Sequence, residues 1–178
     1  MIINMTIIKS QVRAKFEDNI STDDMTSGKF LGGASNNPEE LAKICFHDLD
    51  PDFPQKMAPG GIIIAGNNFG CGSSRESAPS ALKACNVIAV LAAEYARIFY
   101  RNSINIGLPV LECKDAYDKI DLNDELEIEV ETGIVKNITK NETYQASPIP
   151  EFLMDKIEAG GLLEILRAEV KSKDNTNT

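Results

Sequence analysis

The residues best suited to chemistry stand together in Gly66-Asn67-Asn68-Phe69-Gly70-Cys71-Gly72-Ser73-Ser74-Arg75-Glu76. Two adjacent hydroxyls, Ser73 and Ser74, lie beside the Arg75 guanidinium at the end of a glycine-rich turn. Glycines let a backbone turn so that N–H groups converge, and a following helix start adds unpaired N–H groups, so such a turn can cradle an anion. A guanidinium adds a planar fork for a carboxylate. The set suits a substrate that carries carboxylates. A nucleotide phosphate is a poorer match, because there is no G-x-x-x-x-G-K-S/T run and the loop has no lysine. A Ser–His–Asp hydrolase would need His47, the only histidine, and the elbow G-x-S-x-G is absent. A second reading needs no ligand: a tight strand-to-helix turn whose serines cap the helix. On the residues of this turn alone, both readings stand.

The flanking elements would position the turn. Gly61-Ile62-Ile63-Ile64-Ala65 is a short apolar, β-branched run that predicts a buried strand. Ala78 to Cys85 predicts a helix, with Pro79 tolerated in its first turn. Val87 to Leu91 is a second buried strand, Ala92 to Asn102 a helix carrying Ile98 and Phe99 inward, and Gly107 to Glu112 a third strand. That alternation implies right-handed crossovers and a parallel sheet core.

Upstream, residues 7 to 16 predict a strand and Glu17 to Gly28 a loop dense in turn formers, where Ser21, Thr22 and Asp23 would ordinarily cap or turn the chain. Pro38 opens a helix over Glu39 to Cys45, and the prolines between His47 and Pro59 argue for an irregular loop. Downstream, residues 115 to 120 suggest a helical turn, and Leu126 to Glu131 alternates as a strand with one wet face. Thr132-Gly133 turns the chain into an antiparallel hairpin over Ile134 to Ile138, with a further strand at Glu142 to Gln145. Helices follow over Pro150 to Ala159, ended by Gly160-Gly161, and over Leu162 to Val170. The expected organisation is one α/β domain over residues 1–170 with a polar, disordered tail at 171–178.

Bulk properties narrow the function classes. The chain has 178 residues, enough for one domain with a substantial core. A formal net charge of -9 argues against a nucleic-acid surface. No apolar run approaches the ~20 residues of a membrane span, and residues 1 to 9 lack a basic n-region, so a first strand and a cytoplasmic location are expected. The four cysteines, Cys45, Cys71, Cys85 and Cys113, form no C-x-x-C. That spacing is neither a disulfide framework nor a local metal site, and no metal is expected on this chain. The acidic run Asp121 to Glu131 reads as the solvated face of a strand.

Three motifs in order add a resemblance. Gly72-Ser73-Ser74-Arg75-Glu76 after an Asn-Phe-Gly-x turn resembles the signature of the swivelling domain of the aconitase superfamily. Asp18-Asn19-Ile20-Ser21-Thr22-Asp23 resembles that family's D-x-x-x-T-D loop, and Ala96-Arg97-Ile98-Phe99-Tyr100-Arg101-Asn102 with Asn105 to Leu108 its A-R-I-F-x-R-N-x-x-N-x-G-L stretch. The similarity runs from about residue 10 to residue 168 and is to the free-standing small subunits of the 3-isopropylmalate dehydratase and homoaconitase branch.

The resemblance implies a swivelling β/β/α domain that acts only with a large iron–sulfur subunit, as heterodimer or heterotetramer, in a hydro-lyase of leucine-type biosynthesis. The 4Fe-4S cluster would sit on that partner, with no cofactor on this chain. Carried over by motif, Ser73 would be the general base, Asp23 would orient an acid–base partner, and Ser74, Arg75 and Thr22 would bind the substrate, a small hydroxy-dicarboxylate. Some members carry a Tyr-Leu-Arg-Thr-like segment where this chain has Phe30-Leu31-Gly32-Gly33. Without that arginine a third carboxylate lacks its obvious partner, which favours an isopropylmalate- or dimethylmalate-type substrate over citrate or homocitrate. The alternative within the class is a 2,3-dimethylmalate dehydratase or homoaconitase small subunit. A carboxylate-binding module without catalysis is the reading from another class.

Overall fold

The computed structural model describes residues 6–27 and 37–176. Its frame is one seven-stranded mixed sheet in the order β4-β3-β2-β1-β5-β6-β7. The strands are β1 (Ile7–Phe16), β2 (Gly61–Ala65), β3 (Val87–Ala92), β4 (Val110–Glu112), β5 (Glu125–Glu129), β6 (Ile134–Asn137) and β7 (Glu142–Gln145). The long first strand joins two halves of different character. Its C-terminal part, Val12 to Phe16, runs parallel to β2, while Ile7 to Gln11 pairs antiparallel with β5. The parallel half, β1 to β4, carries the helical crossovers; the antiparallel half is the meander β5-β6-β7. A parallel core with an added antiparallel hairpin was the expected class.

Burial explains the difference between the halves. All of β2 is buried, as a strand covered on both faces must be. β5 instead alternates, with Leu126 and Ile128 inside and Glu125, Glu127 and Glu129 outside. Those carboxylates are paired rather than free. Lys136 Nζ on β6 donates to Glu127 at 3.0 Å and to Glu129 at 2.8 Å. The bond from Lys136 holds the Glu129 carboxyl below its ordinary pKa. At the edge of this half Asp124, 4% exposed, accepts from the backbone of Asp121 at 2.9 Å and the amide of Asn137 at 2.7 Å. Burial pushes the Asp124 carboxyl up, but these bonds and Lys140 outweigh it and the net shift is downward.

The helices are α1 (Thr22–Met25), α2 (Pro38–Ile44), α3 (Phe53–Met57), α4 (Ser77–Ala84), α5 (Arg97–Asn105), α6 (Ala116–Lys119), α7 (Glu151–Glu158) and α8 (Leu162–Thr176). Three differ from expectation. α3 forms inside the proline-rich stretch predicted to be irregular: Pro54 sits in its first turn, and Phe53 and Met57, four apart, bury one face. Phe53 packs edge-on to Phe46, with centroids 4.8 Å apart, and Phe46 stacks on Phe16 at 4.4 Å. α5 starts at Arg97 rather than Ala92, because β3 extends to Ala92 and Tyr95 still bridges to Phe69. On α5 Phe99 is 2% exposed, whereas Ile98 points outward at 52%, since neighbours on a helix are ~100° apart. α8 continues past the expected end at Val170 to Thr176; nothing there breaks a helix, neither Gly nor Pro. Lys83 closes two helix ends at once, donating to the carbonyls of Ile106 at 2.5 Å and Gly160 at 2.6 Å.

Candidate active site

Parallel pairing brings the C-terminal ends of β1 and β2 side by side, with Phe16 opposite Ala65. The loops that leave these ends therefore run together, at the edge where open α/β sheets place ligands. They are laced by backbone bonds: Gly66 N–H to Phe16 O at 3.1 Å, Asn19 N–H to Asn67 O at 2.9 Å, Gly70 N–H to Ile20 O at 2.8 Å and Thr22 N–H to Cys71 O at 2.8 Å. Ser21 and Cys71 form a parallel bridge. Asp18 Oδ1 accepts from Asn67 N–H at 2.6 Å and from its side-chain amide at 3.2 Å, and Asn68 donates to Asn19 at 2.9 Å. One loop is the template for the other.

The turn is anchored below by aromatic packing. Phe69 is fully buried and sits edge-on to Phe99 at 5.4 Å and to Tyr95 at 6.2 Å. Tyr95 donates its hydroxyl to Val90 O at 2.7 Å, and burial pushes its pKa well above the usual value, so it stays neutral. Gly70 has φ +80°, and a Cβ there would lie 2.1 Å from Phe99 Cγ. Only glycine meets both demands.

Above this base stand the predicted residues. Ser21 caps α1 through a capping box with Asp24, whose Oδ2 accepts the Ser21 backbone N–H at 2.8 Å. The cap fixes Thr22 and Asp23 at the first positions of the helix. Thr22 Oγ1 accepts the Ser73 N–H at 3.1 Å and lies 3.1 Å from Ser73 Oγ. Asp23 accepts from Arg75 Nη1 at 2.9 Å, with side chains 61% and 38% exposed. Ser74 is exposed, and Asn102 of α5 reaches its carbonyl at 3.4 Å. No acceptor among the described residues takes the backbone N–H of Ser74 or Arg75. The turn thus offers a hydroxyl, a guanidinium and N–H groups with no acceptor among the described residues, a set that fits a carboxylate.

The predicted residues Thr22, Asp23, Ser73, Ser74 and Arg75 are therefore brought together. Thr22 is 1% exposed and its hydroxyl lies against Ser73. Phe30, Leu31, Gly32 and Gly33 lie outside the described residues. Sequence reasoning assigned no role to Asp18, Asn19 or Asn102, which hold the turn in shape; their places in the two motifs were the available signal. Among the described residues no three His, Cys, Asp or Glu side chains gather where they could hold a metal. Cys45, Cys85 and Cys113 are buried, and Cys71 donates to Asn19 O at 3.5 Å. No helix among the described residues is long and apolar enough to cross a membrane.

The aconitase C-terminal domain family matches residues 4–116. The 3-isopropylmalate dehydratase small subunit of Caldicellulosiruptor saccharolyticus is 51% identical over 157 residues, covering 88% of this chain and 90% of that one. The isopropylmalate/citramalate isomerase small subunit of Methanocaldococcus jannaschii is 47% identical, covering 93% and 96%. The crystal structure of a 3-isopropylmalate dehydratase from Methanocaldococcus jannaschii superposes with a TM-score of 0.83 at 38% identity, covering 95% of this chain and 99% of that one. From its fold, its paired loops and these relatives, the chain belongs to the aconitase C-terminal domain family.

Proposed function

We propose that the chain is the small subunit of a hydro-lyase that isomerises a hydroxy-dicarboxylate by removing and re-adding water, with 3-isopropylmalate as the substrate. The observation that carries this reading is the contact between Thr22 and Ser73 beside the Asp23–Arg75 pair. It fixes a hydroxyl next to a cation at the open end of a parallel sheet. Relatives named as small subunits of 3-isopropylmalate dehydratase support the substrate and the need for a large subunit.

In this reading Ser73 Oγ removes the proton from the carbon next to the one whose hydroxyl leaves as water, with a proton from an acid of the large subunit; on rehydration the carbon that lost the hydroxyl takes a proton and its neighbour takes the water oxygen, so the hydroxyl migrates. A serine hydroxyl is a weak acid, so its anion needs preorganised donors in a cleft that the large subunit closes to water. Arg75 takes a substrate carboxylate in place of its single bond to Asp23, which frees the Asp23 carboxylate to face the partner subunit. Ser74 and the open N–H groups of the turn receive the remaining carboxylate oxygens. In this reading the 4Fe-4S group of the family belongs to the large subunit, as the family resemblance implies. A cytoplasmic location follows from the same assignment.

The jannaschii relative's name joins isopropylmalate with citramalate, two substrates with small apolar arms. That favours the same class here over homoaconitate, with 2,3-dimethylmalate as the nearest alternative. The test is turnover by the chain reconstituted with its large subunit on 3-isopropylmalate, citramalate, 2,3-dimethylmalate and homoaconitate. Isopropylmalate is expected to turn over fastest, and Ser73→Ala to remove activity. A preference for homoaconitate would refute the substrate reading, and an active Ser73→Ala the base assignment. No turnover of any of the four would favour a non-catalytic binding module.

A further inference from the structure

The Thr22 hydroxyl has one proton and two acceptors for it at the same distance. Its oxygen already accepts the Ser73 N–H at 3.1 Å. Its proton can go to the Ser73 carbonyl, 3.1 Å away, or to Ser73 Oγ, also 3.1 Å away. Thr22 itself has little freedom to leave. It is 1% exposed, its backbone N–H is held by Cys71 O at 2.8 Å, and the Ser21–Asp24 capping box pins the first turn of its helix. Its β-branched side chain has few rotamers. Only the hydroxyl hydrogen is free to move.

The two acceptors change in strength as the reaction proceeds. While Ser73 is neutral, its hydroxyl and its carbonyl are comparable acceptors. Once Ser73 Oγ carries negative charge it is much the stronger one, and an O–H donor to an anion makes a bond roughly twice as strong as a neutral one. Burial keeps water from competing for that position.

We propose that Thr22 is the hydrogen-bond donor that stabilises the deprotonated form of Ser73, turning its proton from the Ser73 carbonyl to Ser73 Oγ as the serine ionises. This rests on the reading of Ser73 as the base. The proton stays on Thr22 throughout; only its acceptor changes. The Ser73 N–H bond persists in both states and keeps the serine in place while the charge appears. Thr22 is thereby a part of the reaction centre that no substrate touches.

The test uses the enzyme reconstituted with its large subunit and compares Thr22→Val, Thr22→Ser and Thr22→Cys with Ser73→Ala. Thr22→Val keeps the shape and removes the donor. It should lower kcat roughly 100- to 1,000-fold, as expected for loss of one donor to a developing anion, with KM within about twofold of the parent. The acid limb of its kcat–pH profile should move to higher pH, because the base ionises less readily. Thr22→Ser keeps the hydroxyl and should recover kcat to within about threefold, while Thr22→Cys, a weaker donor of similar size, should fall between. A Thr22→Val enzyme with parental kcat and an unmoved acid limb overturns the proposal. So does a Thr22→Ser enzyme as impaired as Thr22→Val, or, if the valine variant does not fold, a cysteine variant equal to the parent. If Ser73→Ala abolishes turnover and Thr22→Val does not lower it, the base stands and only the donor role fails. If Ser73→Ala is itself active, both fall together.

Discussion

Substituting Gly70 by alanine asks whether the turn is held as tightly as the geometry requires. Two separate costs apply. At φ +80° an L-residue is in the left-handed region, a penalty of about 1–2 kcal/mol. The new methyl would also start 2.1 Å from Phe99 Cγ and 2.6 Å from Cδ2. Phe99 is 2% exposed and boxed in by Phe69 and Tyr95, so its ring has nowhere to retreat without disturbing packed neighbours. Overpacking of this kind costs about 1–3 kcal/mol more. Together these predict a loss of about 2–5 kcal/mol, a large part of the ~5–15 kcal/mol that holds a typical domain. Gly160 provides the control, with φ +77° but nothing within 4 Å of an added Cβ. Gly160→Ala should lose only the backbone part, about 1–2 kcal/mol. Urea unfolding of both variants, read at constant m-value, separates the two costs. Because the same loop carries Ser73, Gly70→Ala should also lose activity in the reconstituted complex, whereas Gly160→Ala should not. If Gly70→Ala unfolds at the same urea concentration as Gly160→Ala, the aromatic anchor beneath the turn has been misjudged.

Two further outcomes are expected. The Asp124 carboxyl is held below its ordinary pKa, so its contribution is complete above the unfolded value near 4 and fades as pH falls through the folded value. Asp124→Asn keeps an oxygen for its donors but loses the charge. It should cost about 1–2 kcal/mol at pH 7 and converge on the parent in acid; urea curves from pH 7 to pH 3 with an unchanging gap would contradict this. On the acidic strand Glu127→Gln should leave turnover unchanged, because Glu127 meets Lys136 in a half-buried pair on the far half of the sheet from the candidate-site loops. The accompanying stability change should stay within ~1 kcal/mol. A tenfold loss of activity would mean that this face is a working surface.

Local patterns in the chain were enough for most of the frame. The buried run Gly61 to Ala65, the alternation at Leu126 to Glu129 and the Thr132-Gly133 turn each follow from short-range physics, and each formed the element expected. Helix ends and facing were less legible. Whether Phe99 or Ile98 turned inward depended on where α5 began, and that was set by the bridge from Tyr95 to Phe69, a contact across more than twenty residues. The proline-rich segment formed α3 because Phe16 and Phe46 gave Phe53 something to pack against.

For the active site, the sequence by itself determined the chemistry on offer: Ser73, Ser74, Arg75 and Asp23 could be named from residue type and motif order. Only the tertiary structure decided how they work together. The motif around Thr22 and the motif around Ser73 are separated by about fifty residues, and parallel pairing of β1 with β2 makes them neighbours. That pairing buried Thr22 against Ser73. It also set Arg75 on Asp23. Burial and partnership belong to the assembled sheet, because they depend on which strands lie side by side, and a linear motif specifies side chains without saying what will cover them.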